Sequence, residues 1–426
     1  MSRSSMILIS LISTLGCTSH SDQPNDESTE TKKQELSVYN LDPETYLHKE
    51  FGILDLVNDD LEVIPLETSL DCIVSYPNPT HIVVEDEFIL VGSTPSGMKP
   101  GEVLLFSKDG HFRHKFGKSG RGPGEHVGRN PRKVRYYPED STLMVYWAGG
   151  HSTIQLFDLS GDFKYQIDLP YPFLIMENVE RWVDTTWFVT GSDDWGNTFG
   201  TITPADSIRF ALFSKNGEII KEIRRKNFPT LNKLQEQAFS RMSRPYNYKD
   251  NWKFNLRGND TLFSIVNQNL RPDAMLVTPA AEFPLDIRVL RETDSFMMVD
   301  ILIREEKGVK DFGGRSVIDW EIKRYFVVVD KSSGQTYSVN LIDDAFFILD
   351  DFTMYDGKFM NVRFQWRNDR LSFMLSPLQW MQLTEGLDTS KLRPTIREKL
   401  KLLDGLNEDD NLIVFTFSLK NEIDFE

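Results

Sequence analysis

A hairpin pattern occurs twice within residues 103–163, and it constrains the fold more than any other feature. Val103-Leu104-Leu105-Phe106 is an apolar run, Ser107-Lys108-Asp109-Gly110 a polar turn ending in glycine, and the extended pattern resumes to Phe116. Ile154-Gln155-Leu156-Phe157, Asp158-Leu159-Ser160-Gly161 and Asp162-Phe163 repeat it. A third copy is Phe210-Ala211-Leu212-Phe213 followed by Ser214-Lys215-Asn216-Gly217. Short apolar runs joined by a glycine-containing turn read as antiparallel hairpins. Phe106, Phe157 and Phe213 lie 51 and 56 residues apart, close to the roughly 40–50-residue period of propeller blades.

Taken in order, the blades are expected at residues 80–116, 133–169 and from about Arg181 onward. A degenerate fourth surrounds residues 260–277, and a fifth holds Tyr325-Phe326-Val327-Val328-Val329 and Thr336-Tyr337-Ser338-Val339. The sixth should begin with residues 351–354 and 358–362 and end with the strand 412–417. Residues 61–67 form a strand without a local partner. Open sheet edges invite aggregation, so this early strand should pair with the last one. The expected fold class is all-β, a six-bladed β-propeller closed by pairing an N-terminal strand with the C-terminal strands. Two short helical insertions interrupt it, at 231–239 and 377–406. In the second, Leu392, Ile396, Leu400 and Leu403 share one apolar face. Both should pack on the rim or over one face of the disc, as structural packing or as a lid.

The N-terminus reads as an address. Arg3 precedes an apolar run, residues 6–15, that is too short to span a bilayer, and Gly16-Cys17 closes it. The expected division is a signal peptide over 1–17 with Cys17 lipidated, an acidic flexible tether over 18–50, and the propeller over 51–426. With Cys17 modified, Cys72 has no partner, so no disulfide framework is possible. Residues 70–74 read as a strand that buries its thiol. The net charge of −16 argues against nucleic-acid binding and against a polybasic membrane mode.

The candidate site centres on Gly120-Arg121-Gly122-Pro123-Gly124-Glu125. Glycines here could let backbone N–H groups converge on an anion, or could serve a tight crossing between blades. Around it Arg113, Lys115, Lys118, Arg121, Arg129, Arg132, Lys133 and Arg135 accompany a single acid, Glu125. That island could attract a uronate, sulfate or carboxylate, or be a solvated strand face. Trp147, Trp195, Trp252 and Trp366 fall at strand ends or loops, where indoles stack on sugars or anchor interfaces; partial burial between blades is the alternative. His111 and His114 are three apart, on opposite faces of a strand, and cannot share a metal. Asp193-Asp194-Trp195-Gly196-Asn197 lacks the spacing of a calcium loop. No serine elbow or zincin helix is present, although propeller sites can be assembled from distant blades.

Phe116-Gly117, Gly120, Gly122-Pro123-Gly124-Glu125, Pro131, Val134, Leu143, Val145 and Ile154-Gln155-Leu156-Phe157-Asp158 resemble an NHL-type propeller repeat. With the preceding hairpin, Val63-Ile64-Pro65-Leu66-Glu67 and Glu408-Asp409-Asp410-Asn411, the chain is similar to the six-bladed β-propeller lipoproteins of Gram-negative bacteria. Tyr146-Trp147 stands where such repeats carry an aspartate, so no role of that aspartate transfers. The resemblance implies an outer-membrane lipoprotein, periplasmic or surface-exposed. Ser21-Asp22 and Asp26-Glu27 resemble acidic surface-export signals. The expected function is a non-catalytic binding module for a glycan, peptide or envelope protein, through Arg121, Gly122, Glu125, Arg132, Trp147, Trp195 and Trp366. The alternative is a channel-centred hydrolase or lyase. No cofactor and no metal are expected, and the chain should be a monomer attached to membrane only through its lipid.

Overall fold

The computed structural model describes the chain from Leu36 to Phe425, apart from residues 43–44, 75–78, 94–100, 127–129, 149–152, 170–174, 184–185, 193–207, 225–245, 250, 256–260, 268, 278–285, 313–314, 341–352, 356–357, 361–364, 368 and 385–393. Cys17, the expected helix at 231–239, Arg129, and the 193–197 loop with Trp195 lie outside the described residues.

Six sheets of four or five strands make a six-bladed β-propeller. Blade I comprises Pro79–Val84, Phe88–Ser93, Glu102–Ser107 and Phe112–Phe116, all antiparallel. Blade II runs from Asn130–Tyr137 through Thr142–Ala148 and Thr153–Asp158 to Phe163–Asp168. Blade III starts at Ile175–Val183, earlier than expected, and ends at Ile219–Arg224.

Each blade is sandwiched between two others, so alternate residues of one strand face different neighbours. Leu143, Val145 and Trp147 of blade II pack on Val83 and Leu90 of blade I. Met144 and Tyr146, one residue out of phase, pack on Val179, Trp187 and Phe213 of blade III. This is why Leu143-Met144-Val145-Tyr146-Trp147 is apolar at every position and fully buried. Each such side chain contributes about 1.5–3 kcal/mol of burial.

The ring closes as expected. Glu62–Pro65 is the outermost strand of blade VI and runs antiparallel to Ile413–Ser418, with Val63 opposite Phe415. The Ser107–Gly110 turn of blade I then rests on that closing strand. Gly110 has φ +89°, and a Cβ there would overlap the Pro65 carbonyl oxygen. Gly217 (φ +80°) sits in the same way on the Asp168 carbonyl of blade II. The turn glycines that end the repeated hairpins therefore seat one blade on the previous blade's outer strand.

Four expectations change. The tether does not reach residue 50: Ser37–Asn40 adds a parallel fifth strand to blade IV, beside Ala274–Val277, and Leu47–Gly52 adds one to blade V, beside Tyr337–Asn340. Tyr39, Leu41 and Phe51 are buried there. The inner strands of blade VI are Gln365–Arg367 and Arg370–Leu375, while Thr353–Tyr355 and Lys358–Met360 form a separate two-stranded sheet. Cys72 is buried, but in a turn: its N–H donates to the Ser69 carbonyl at 3.1 Å and its thiol to the Glu67 carbonyl at 3.0 Å. Leu70, two residues earlier in the same turn, is almost fully exposed. Finally, the middle strands of blade V, Phe296–Phe312 and Arg315–Asp330, are 17 and 16 residues long. Among the described residues they outrun their neighbours as a two-stranded arm.

The C-terminal insertion holds two helices, Pro377–Thr384 and Pro394–Leu400, the latter followed by a 3-10 turn, Lys401–Leu403. Ile396, Leu400 and Leu403 are buried with Leu61, Val63 and Phe415, so this face packs on blade VI. Leu392 lies outside the described residues.

Candidate functional site

The loop 117–126 leaves the outermost strand of blade I and leads to the innermost strand of blade II. It emerges at the end of the blades where second and third strands connect, since Phe116 is aligned with Val103 and Val103 with Gly92. The arm of blade V leaves the corresponding end of its own blade.

The loop is pinned from within. Lys118–Ser119 pairs in parallel with Glu125–His126, and the Gly120 N–H donates to the His126 carbonyl at 3.0 Å. Glu125 folds its carboxylate back under the turn, where Oε2 accepts the Gly122 N–H at 2.6 Å. A Cβ at Gly120 would overlap that carboxylate, so glycine is required by close approach. The anion that the glycine-rich turn holds is thus the chain's own carboxylate. From below, Gln155 Nε2 donates to the Glu125 carbonyl at 2.9 Å, and the His126 ring stacks on Trp147, with centroids 3.8 Å apart and planes at 16°.

Trp147 is fully buried. It does lie near a strand end, but it is the floor of the loop and offers no face to a sugar. What the loop displays outward is cationic: Lys118 and Arg121 are both exposed. Lys118 belongs to the basic island read from the sequence; its exposure beside Arg121 follows from the parallel pairing with Glu125, which the sequence does not announce.

The basic island is dispersed. Lys115 pairs with Glu102 at 3.1 Å. Arg113, on the exposed face of the outer strand of blade I, lines a shallow groove of about 530 Å³ at the closure with Glu62, Glu87, Lys108, Asp109 and Lys399. Lys133 and Arg135, two apart on the innermost strand of blade II, converge on Glu180 of blade III at 2.5 and 2.8 Å. Glu180 is 1% exposed. Burial alone would raise its pKa, but Arg135 and Lys133 outweigh that and hold the carboxyl below the ordinary range. Beside it, Arg181 binds Asp140 at 2.6 Å and Glu139 at 2.7 Å, with its guanidinium 4.1 Å above the Tyr137 ring. These cations join blade II to blade III and are not available to a ligand. Glu292 has a matching role between blades IV and V, accepting from Lys253 at 3.0 Å, Lys331 at 2.9 Å and the Tyr246 hydroxyl at 2.7 Å.

Arg132 occupies the same inner strand as Lys133. Trp252 is half-buried and donates from Nε1 to the Arg181 carbonyl at 3.2 Å, tying blade IV to blade III. Trp366 is the central residue of a blade VI strand, opposite Leu371. The structure therefore gathers Arg121, Gly122, Glu125 and Trp147 into one loop and its floor, and puts Trp366 in a different blade. Among the described residues no cluster of three or more His, Cys, Asp or Glu gathers to hold a metal, and no helix is long and apolar enough to cross a membrane.

Crystal structures of two Bacteroides proteins are similar to parts or all of this chain. A protein from Bacteroides fragilis NCTC 9343, described as exported, superposes with a TM-score of 0.56 at 15% identity, over 90% of this chain and 100% of that one. A Bacteroides caccae protein of unknown function covers 60% of this chain and 78% of its own, at 11% identity and a TM-score of 0.36. Among curated proteins none matches this chain. The profile of one family, described as a domain of unknown function, DUF4934, matches residues 38–418, nearly the whole propeller. The chain belongs to the DUF4934 family.

Proposed function

We propose that this chain is an exported, lipid-anchored binding module of the cell envelope. Its ligand surface is the loop end of the disc, where Arg121 and Lys118 meet an anionic group of a glycan, a peptide or a partner protein. The observation that carries the reading is the loop's internal lock. Glu125 accepts the Gly122 N–H beneath the turn, and the indole of Trp147 fixes its floor, so the two cations stand on a rigid element. Rigid presentation reduces the ordering cost of binding. Export is supported by the description of the B. fragilis neighbour and by the short apolar run ending at Cys17, which we read as a lipidation site on the outer membrane. The likeness to NHL-type lipoproteins supports the same placement.

An array of neutral, uronate-bearing and sulfated glycans, probed with the full-length chain, tests the site. Binding should favour the anionic members and fall on Arg121→Ala, about tenfold or more (~1.4 kcal/mol, the loss of one charge-assisted contact). Binding indifferent to Arg121→Ala and Lys118→Ala would remove this loop from consideration. Turnover of a bound saccharide would favour a channel-centred hydrolase or lyase instead. Fatty-acid labelling that survives Cys17→Ala would refute the anchor.

A further inference from the structure

The turn glycines of blades I and III rest on backbone carbonyls, but the equivalent glycine of blade II rests on a group that can change its charge. Gly161 (φ +94°) lies against the His114 ring on the outer strand of blade I, where a Cβ would be 3.1 Å from Cδ2 and 3.2 Å from Nε2. His114 Nε2 is buried there and, among the described residues, has no hydrogen-bond partner. A neutral imidazole carries a proton on one nitrogen, whereas an imidazolium carries N–H on both. Protonation therefore points a charged N–H at Gly161, where no acceptor meets it, and its lost hydration goes uncompensated.

The charges around the ring do not rescue the cation. The blade II turn holds Asp158 and Asp162, and both are engaged within it. Asp158 accepts the Ser160 and Asp162 N–H groups at 3.0 and 2.9 Å, and Asp162 accepts the Ser160 hydroxyl at 3.2 Å. On the ring's own strand Arg113 adds positive charge and Lys115 pairs with Glu102; the strand alongside sets Leu105 opposite His114. Burial pulls the pKa of His114 down, the Asp158 charge opposes this, and Arg113 adds to it, leaving the group below its ordinary value.

The seat is continuous with the loop 117–126. The His114 ring lies 4.7 Å from that of Phe116, the last residue before the loop, and Phe116 meets Phe157 of blade II at 5.8 Å. Two residues past Gly161, Phe163 packs on Phe157 at 5.9 Å and lies beneath Gly124, whose Cβ would come within 2.9 Å of it. A shift of the 158–163 turn thus moves the support of the loop that displays Lys118 and Arg121.

We propose that His114 is a pH switch for this loop: neutral, it seats the blade II turn on blade I and holds the loop in place; protonated, it unseats the turn and frees the loop. The effect on binding, though not the switch, rests on the anionic-ligand reading given above. The sign follows from the lowered pKa. The seat is intact above the ordinary histidine value of about 6.5 and is lost as pH falls through the lower folded value.

Amide hydrogen exchange of the full-length chain tests the switch without a ligand. It is read as protection of the Gly120 and Gly122 N–H groups, which donate to the His126 carbonyl and the Glu125 carboxylate. From about pH 7.5 to about pH 5.5, across the histidine range, wild-type protection should fall about threefold or more, since one unit of pKa separation is worth up to about tenfold. In His114→Gln and His114→Phe, both neutral throughout, protection should stay constant. Two variants are used so that one shown by thermal unfolding to pack poorly leaves the other. Constant protection in wild type overturns the switch, and so does an equal fall in both variants, the result expected if His126 is the group that titrates. Binding of a sulfated oligosaccharide, whose charge is fixed over this range, should weaken on acidification in wild type alone. Protection lost only in wild type, with no oligosaccharide bound at either pH, upholds the switch and removes the ligand reading. Binding that needs Arg121 but is as tight at the lower pH upholds the ligand reading and overturns the switch.

Discussion

Replacing Gly110 by alanine puts a methyl group into the closure of the ring. The residue sits at φ +89°, where an L side chain costs about 1–2 kcal/mol in backbone strain. The added Cβ would also overlap the Pro65 carbonyl oxygen, a backbone atom of the strand that joins the chain's two ends. That neighbour cannot rotate away like a side chain. Overpacking of this kind costs about 1–3 kcal/mol more. The same turn is stitched across the seam by the Glu67 N–H donating to the Gly110 carbonyl at 2.9 Å, and by the Glu67 carboxylate accepting the Phe112 N–H at 3.0 Å. Displacement would strain both, so the expected loss is about 2–5 kcal/mol. Gly334 is the control. It has φ +73° in the equivalent turn of blade V but nothing within 4 Å of its virtual Cβ, so Gly334→Ala should lose only the backbone share, about 1–2 kcal/mol. Urea midpoints for the two variants, with slopes checked for equality, separate the terms. Equal losses at the two positions would refute the seating of blade I on the closing strand.

Other consequences can be checked in parallel. Glu180→Gln leaves Lys133 buried beside a neutral partner and should destabilise the fold by about 3–5 kcal/mol. Because the Glu180 carboxyl is held below its ordinary range, its contribution is complete above the unfolded carboxylate pKa of about 4.3. It is lost as pH falls through the lower folded value, so the gap between wild type and Glu180→Gln in chemical denaturation should close on acidification. A gap constant down to pH 2 would contradict that. Deleting residues 36–52 removes the buried Tyr39, Leu41 and Phe51, each contributing about 1.5–3 kcal/mol. It also opens the outer edges of blades IV and V, so a lower melting temperature and concentration-dependent aggregation are expected in light scattering. Glu125→Ala frees the turn that displays Arg121 and should reduce anionic-glycan binding as much as Arg121→Ala does, although Glu125 itself faces inward. Full retention of binding would show that the lock is dispensable.

The structural consequence of the glycine-rich turns was legible because turn chemistry is local. Ser107-Lys108-Asp109-Gly110 and Ser214-Lys215-Asn216-Gly217 specify hairpins whatever surrounds them, and a left-handed glycine is readable in one dimension. The joining of Val63 to Phe415 was legible for a different reason: a ring with one orphan strand at each end has a single economical solution. Blade VI was read less well, since residues 351–362, with Phe352, Met354, Phe359 and Met360, are as apolar as the inner strands at 365–375.

What the sequence by itself determined, then, was the repeat, the number of sheets and the latch, because period-two patterning and turn residues act within a few positions. Tertiary structure decided where each side chain of the candidate site ended up. Trp147 became a floor because blade I lies against it, and Lys133 and Arg135 left the basic island because Glu180, some 45 residues on, waits on the next blade. Ser37–Asn40 became a strand only because Ala274–Val277 offers an edge. In a propeller the environment of a residue is set by the neighbouring blade, and no local pattern records which residue that blade will bring.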